Sequence, residues 1–181
     1  MRTTPADTFR IDAIPWPTLQ MIWDSGHDAL GNPIEVMVND EPQSAPLRCC
    51  LKEAAVGEAI GLVAYSPFEK LGPYAEVGPV FIHASPCSGY QTPYQYPADF
   101  RHRRQVLRAY DGEERMVYDA NRFVDGIQAE STIAEIFANP SVAFVHSRNV
   151  LPGCYMFTIH RVSPDEGSRH GPGTTEESRA E

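Results

Sequence analysis

No window of this 181-residue chain approaches the run of ~20 apolar residues that a membrane-spanning helix needs. Its opening stretch, "MRTTPADTFR", carries no apolar core of a secretory signal, so the expected location is the cytoplasm. The four cysteines form no Cys-x-x-Cys pair, which removes the common zinc-knuckle and thioredoxin-type signatures. There is no glycine-rich phosphate loop, no Gly-x-Ser-x-Gly elbow and no His-Glu-x-x-His helix. Excess positive charge is missing as well. The formal net charge is −9, which argues against nucleic acid as a partner, because phosphate contacts need clustered Lys and Arg. The only basic cluster is "RHRRQVLR", Arg101 to Arg108, readable as a solvated strand start or as a local anion site.

What is present describes one ordinary globular domain, 42% hydrophobic and 22% charged, large enough to build a core without disulfide staples. Sixteen prolines and thirteen glycines point to many turns and short elements. The folded domain is expected over residues 1–162. Residues 163–181, "SPDEGSRHGPGTTEESRAE", have no large apolar side chain to offset their ordering entropy and are expected to be a disordered acidic tail. With no sign of secretion, Cys49, Cys50, Cys87 and Cys154 are expected as reduced thiols.

Alternation predicts strands in "TFRIDAI", "IEVMVND", "EAIGLVAYSPF", "EVGPVFIHA", "RQVLRAYD", "MVYDANRFV", "SVAFVHSR" and "CYMFTIHRV". A short helix over "TLQMIWDSG" ends at Gly26. The main helix lies in "DGIQAESTIAEIFANP", where Ala129, Ile133, Ile136 and Phe137 share one face. Residues 85–97, rich in Tyr and Pro, read as a long binding or lid loop. The fold class is therefore α+β: a mostly antiparallel β-sheet of about six to eight strands with one main helix packed on one face.

Side chains alternate across a strand, so each strand sorts its residues into two sets. Phe144, His146 and Arg148 share a face, as do Arg108 and Tyr110, Phe81 and His83, and Val63 and Tyr65. If these mixed sets lie on one side, His83, His146, Arg108, Arg148, Tyr65 and Tyr110 line a half-buried face. Two arginines there favour a small anionic ligand, through their forked donors. Roles follow by chemistry: Arg108 and Arg148 as anion clamps, His83 or His146 as acid–base group, Tyr65 and Tyr74 as wall and hydrogen-bond donors. Glu76, just before a strand, is placed to pair with an arginine or to orient a histidine.

Cysteine chemistry is weighed beside this. Cys87 is a candidate reactive thiol, held as a thiolate by His83 or His146. Zinc ligands could come from His83 and Cys87 with Cys50, Cys154 or His146, but they are scattered along the chain, so no metal and no cofactor is expected. An acid–base enzyme, a non-catalytic binder and a protein-interaction domain all fit these residues, and the sequence leaves that choice, and the oligomeric state, open.

The ordered stretches "PLRCCL", "YSPF", "PYAEVGPVFIHASPC", "LRAYD", "VHSRN" and "GCYMFTIHRV" resemble an uncharacterised bacterial family, domain of unknown function 1203, from about Pro46 to Val162. The resemblance places family motifs on Arg48 and Cys50, on Gly78 to His83, on Cys87, on Arg108 and Tyr110, on His146 to Asn149, and on Gly153 and Cys154. Arg48 is expected as a third anion contact, and Asn149 joins the ligand-binding set. It also puts Cys49 where a histidine is more usual, which on this reading takes away one metal ligand. The family brings no activity with it, so function has to come from the site.

Overall fold

The computed structural model describes residues 9–162, and the expected acidic tail lies outside them. Alternating segments form strands where their pattern predicts. These are β1 (Phe9–Asp12), β2 (Glu35–Val38), β5 (Ala59–Tyr65), β6 (Gly78–His83), β7 (Arg104–Tyr110), β9 (Phe144–Asn149) and β10 (Tyr155–Arg161). Helix α1 (Trp16–Ser25) starts with Pro17 in its first turn, where the missing N–H is not needed. It stops at Gly26, whose positive φ of 69° lets its N–H reach back to the Ile22 carbonyl. Helix α2 (Ala129–Phe137) buries Ala129, Ile133, Ile136 and Phe137, the face its spacing predicts. Each large apolar side chain withdrawn in this way contributes roughly 1.5–3 kcal/mol.

The protein is α+β and mostly antiparallel, with α2 as its main helix. The strands divide between two five-stranded sheets rather than forming one sheet of six to eight. Sheet A has the order β1-β10-β9-β7-β8, and sheet B the order β2-β5-β6-β3-β4, where β8 is Arg122–Asp125. The extra strands β3 (Pro46–Leu47) and β4 (Lys52–Glu53) are two residues each, too short to show alternation. Among the described residues every strand pairing is antiparallel except β3 with β6, which is parallel.

Two cores result. Helix α2 covers one face of sheet A with Leu107, Ala109, Val145, Phe157 and Ile159. Helix α1 packs Leu19 and Ile22 into a second cluster with Ile60, Val63, Val80, Ile82 and both Cys49 and Cys50. Strand β10 bridges them through a bulge between Tyr155 and Phe157. The extra residue leaves Phe157 in the α2 core while Tyr155 turns into the second cluster.

The stretch "MVYDANRFV" differs from expectation, since only Arg122–Asp125 is strand. Upstream, a 3-10 turn at Tyr118–Ala120 brings in the Asn121 side chain, whose Oδ1 accepts the Ala109 N–H at 2.9 Å. A side-chain oxygen thus replaces the strand carbonyl that would have continued the ladder. Just beyond β8, a Cβ on Gly126 would collide with the Phe100 carbonyl and lie 2.9 Å from the Arg101 carbonyl oxygen. Both are backbone atoms with little room to yield. Gly126→Ala should lower stability by about 1–3 kcal/mol in urea denaturation; an unchanged midpoint would disprove that close approach.

Candidate functional site

Sheet A turns its second face away from α2. On it Arg108 stands opposite His146, Tyr110 opposite Phe144, and Thr158 and His160 opposite His146 and Phe144. Four of the expected site residues, Arg108, Tyr110, His146 and Arg148, therefore converge here as alternation predicts. His146 is only 1% exposed, yet neither ring nitrogen has a hydrogen-bond partner among the described residues. Its neighbours are rings: Phe68 and Tyr110 at 4.9 Å, Phe144 at 5.1 Å and Tyr155 at 5.4 Å between centroids. Burial, then the nearby Arg148 charge, drives its pKa down to about 3, so the ring is a neutral imidazole at physiological pH.

His146 lines a cavity of about 450 Å³ with Tyr65, Phe144, Tyr155, Thr158 and His160. Burial raises the Tyr65 hydroxyl to about 12 and pushes the wholly enclosed Tyr155 up further. Both tyrosines also wall a second cavity of about 210 Å³ that holds Arg148, Glu76 and Cys154.

The two arginines expected to clamp an anion are engaged from within the protein. Glu76 pairs with Arg108 at 2.9 Å and with both terminal nitrogens of Arg148 at 2.9 Å. Arg148 is buried; its Nε and Nη2 make no hydrogen bond among the described residues, Nη2 meeting Glu76 only as an ion pair, while Nη1 also donates to the Gly153 carbonyl. The expectation that Glu76 pairs with an arginine is realised twice. Elsewhere in the basic cluster, Arg101 pairs with Glu130, Arg103 with Glu53 and Arg104 with Asp125, so its charge is neutralised locally.

Other expected site residues lie elsewhere. Arg48 is 1% exposed, and its guanidinium donates to the carbonyls of Tyr155 and Pro46 and to Cys154 Sγ. Its donors are engaged inside the protein, so it is a strut between the sheets and not an anion contact. Asn149 donates to the same Cys154 sulfur at 3.1 Å. Tyr74 meets Tyr118 through its hydroxyl, away from both cavities.

His83 is the main correction. It ends β6 in sheet B, not beside His146. Parallel pairing sets Leu47 against Phe81, and two residues further along come Cys49 and His83. The Cys49 sulfur is 3.1 Å from His83 Nδ1, and the Cys50 sulfur 3.8 Å. Cys87, from the loop after β6, joins them, and the four ligand-type atoms lie within 4.8 Å of one another. Hydrogen bonds from Cys49, the Gly89 amide and His83 hold the Cys87 thiol down at about 5. Cys49 is pushed up, because its proton is shared with Cys50 and Cys87 and the group is buried. The candidate thiol thus has His83 as its partner, and Cys49 sits inside the cluster and takes no ligand away. Separations of 34 residues between Cys49 and His83 gave no spacing motif, and a two-residue parallel strand leaves no pattern to find.

No curated protein and no solved structure matches this chain. A family model described as "Protein of unknown function (DUF1203)" matches residues 44–161, a span that carries both the His146 face and the thiol cluster. The chain belongs to that DUF1203 family.

Proposed function

We propose that the protein binds a small anionic molecule on the open face of sheet A, with His146 as a neutral acid–base group. The observation that carries this reading is His146 itself: a buried imidazole with both nitrogens unpartnered, facing a cavity of small-molecule size. Leaving such a group unsatisfied is costly, and functional sites are where such costs persist. The anion is read from Glu76, a half-exposed carboxylate that occupies the Arg108 and Arg148 donors as a ligand's carboxylate would. A bound ligand displaces Glu76, lays its body along Tyr65 and Tyr155 and presents a polar atom to His146. Whether that atom exchanges a proton with His146 separates an acid–base enzyme from a non-catalytic binder.

The four free thiols support a reducing, cytoplasmic setting. The locally paired arginines support a role without nucleic acid, and no helix among the described residues is long and apolar enough to cross a membrane. A bacterial source rests on the family resemblance alone. A second reading, a docking domain for a partner protein, has its foothold in the edge strand β2, where Val36 and Val38 are exposed.

The test is a thermal-shift screen with small carboxylates, inorganic phosphate and nucleotides. Glu76→Ala should tighten binding of a responding anion about tenfold or more, because the internal competitor is gone. Arg148→Ala should abolish the response. Absence of any shift in both the parent protein and Glu76→Ala would overturn the anion reading. Turnover of a responding compound, lost in a His146 variant, would identify an enzyme.

A further inference from the structure

We propose that Cys49, Cys50, His83 and Cys87 form a closed four-ligand site for zinc, and that the metal fastens the 84–97 loop to sheet B. This site lies outside the His146 face and does not depend on the function proposed for it.

Three separate pieces of chain supply the donors. Cys49 and Cys50 come from the turn between β3 and β4, where Leu51 takes a positive φ of 56°. His83 ends β6, and Cys87 begins the tyrosine-rich loop. Cys49 and Cys50 are buried and the other two half-buried, so the donors converge beneath the surface. Around a zinc ion with bonds of about 2.0–2.3 Å, tetrahedral donors stand roughly 3.5–3.8 Å apart. Here Cys49 Sγ and Cys50 Sγ lie 3.1 and 3.8 Å from His83 Nδ1, and all four atoms fall within 4.8 Å. Closing the widest of these separations, by up to about an ångström, completes the polyhedron.

A second observation, independent of the sulfurs, concerns the imidazole. Its Nε2 lies 2.9 Å from Glu58 Oε1, while the other Glu58 oxygen accepts the Ala55 N–H at 2.7 Å. With a metal bound, Nε2–H would donate to this carboxylate, and Nδ1, the atom facing the sulfurs, would supply the lone pair once its own proton is released. This carboxylate–imidazole arrangement orients histidine ligands in metal centres. The indole of Trp23 donates to the His83 carbonyl at 2.9 Å, and the His83 amide donates to Cys49 Sγ at 3.3 Å, so the strand end is held as well.

Donor chemistry selects the ion. Three thiols and one imidazole are too soft for magnesium or calcium and suit zinc. With four protein ligands no position is left for substrate, so the role is structural. Each sulfur binds as thiolate, its proton passing to buffer. The result is a clasp that sets the start of the 84–97 loop, whose Ser88, Gly89, Tyr90 and Pro93 wall a cavity of about 540 Å³ against Trp16 and Leu19.

The experiment uses the full chain, reduced and treated with chelator, then titrated with cobalt(II) as a spectroscopic stand-in for zinc. Saturation at one equivalent is expected, with visible tetrahedral d–d bands and a near-ultraviolet thiolate charge-transfer band, both bleached by zinc. Cys154→Ser should titrate like the parent. Cys87→Ser should lose charge-transfer intensity, and Glu58→Gln should weaken binding about 10–100-fold while staying folded. A folded, reduced parent protein without the charge-transfer band overturns the proposal. So does a band that survives unchanged in both Cys87→Ser and Glu58→Gln.

Discussion

His146→Leu should remove a large part of the protein's sensitivity to acid. In the unfolded chain an imidazole takes up its proton below pH ~6.5. In the folded protein His146 takes one only near pH 3, because burial and the charges of Arg148, His160 and Arg108 oppose it. Between those limits the unfolded state holds more protons, so native stability falls as pH falls. From pH 7 to pH 4 this one group accounts for a loss of about 3 kcal/mol. Leucine has nothing to titrate, and the aromatic surround of Phe68, Tyr110, Phe144 and Tyr155 suits it. Urea denaturation at the two pH values should therefore show a drop smaller by about that amount in the variant. Acid protonation of carboxylates is common to both proteins and cancels. Equal drops would mean that His146 reaches water or a partner in the native state.

Arg48→Ala should cost about 3–5 kcal/mol, enough to bring a domain of this size near its unfolding threshold. The guanidinium holds the Tyr155 carbonyl of sheet A and the Pro46 carbonyl of sheet B at once, and Cys154 Sγ besides. Its removal leaves two buried carbonyls short of a donor and a void the size of a long side chain. Arg48→Met fills most of that void and isolates the hydrogen-bond contribution. The urea midpoint should fall for both variants, further for alanine. A loss below about 1 kcal/mol for alanine would show that the sheets are held together by apolar contact alone.

Arg48 also illustrates where sequence reading stops. Its position in an ordered motif singled it out, but a buried strut and an anion contact use the same residue type. Only the distance to Tyr155, more than a hundred positions away, separates them. The His146 face was legible because antiparallel strands with one mixed face carry their register in their alternation. "RAY" falls opposite "FVH", with Arg108 facing His146. The thiol cluster was legible only in part: His83, Cys87 and Cys50 stood as possible ligands, but their convergence with Cys49 did not show. It depends on a single parallel pairing, Leu47 with Phe81, that no turn fixes and no periodicity announces. The split into two sheets escaped for a related reason: strands of two residues leave no pattern, and the bulge in β10 that turns Tyr155 away from Phe157 breaks the alternation used to sort faces.

The hold of Glu76 on Arg108 and Arg148 also sets a concentration scale. A carboxylate tethered to the same chain competes with any solution anion at an effective concentration of the order of millimolar. A simple monocarboxylate present at micromolar levels loses that contest. An occupant that wins must add contacts the glutamate does not have, through a flat or apolar body against Tyr65 and Tyr155 or a second charged group. On the anion-binding reading proposed above, the internal pair would therefore act as a filter on size as well as on charge, favouring larger anions over small ones present at micromolar levels.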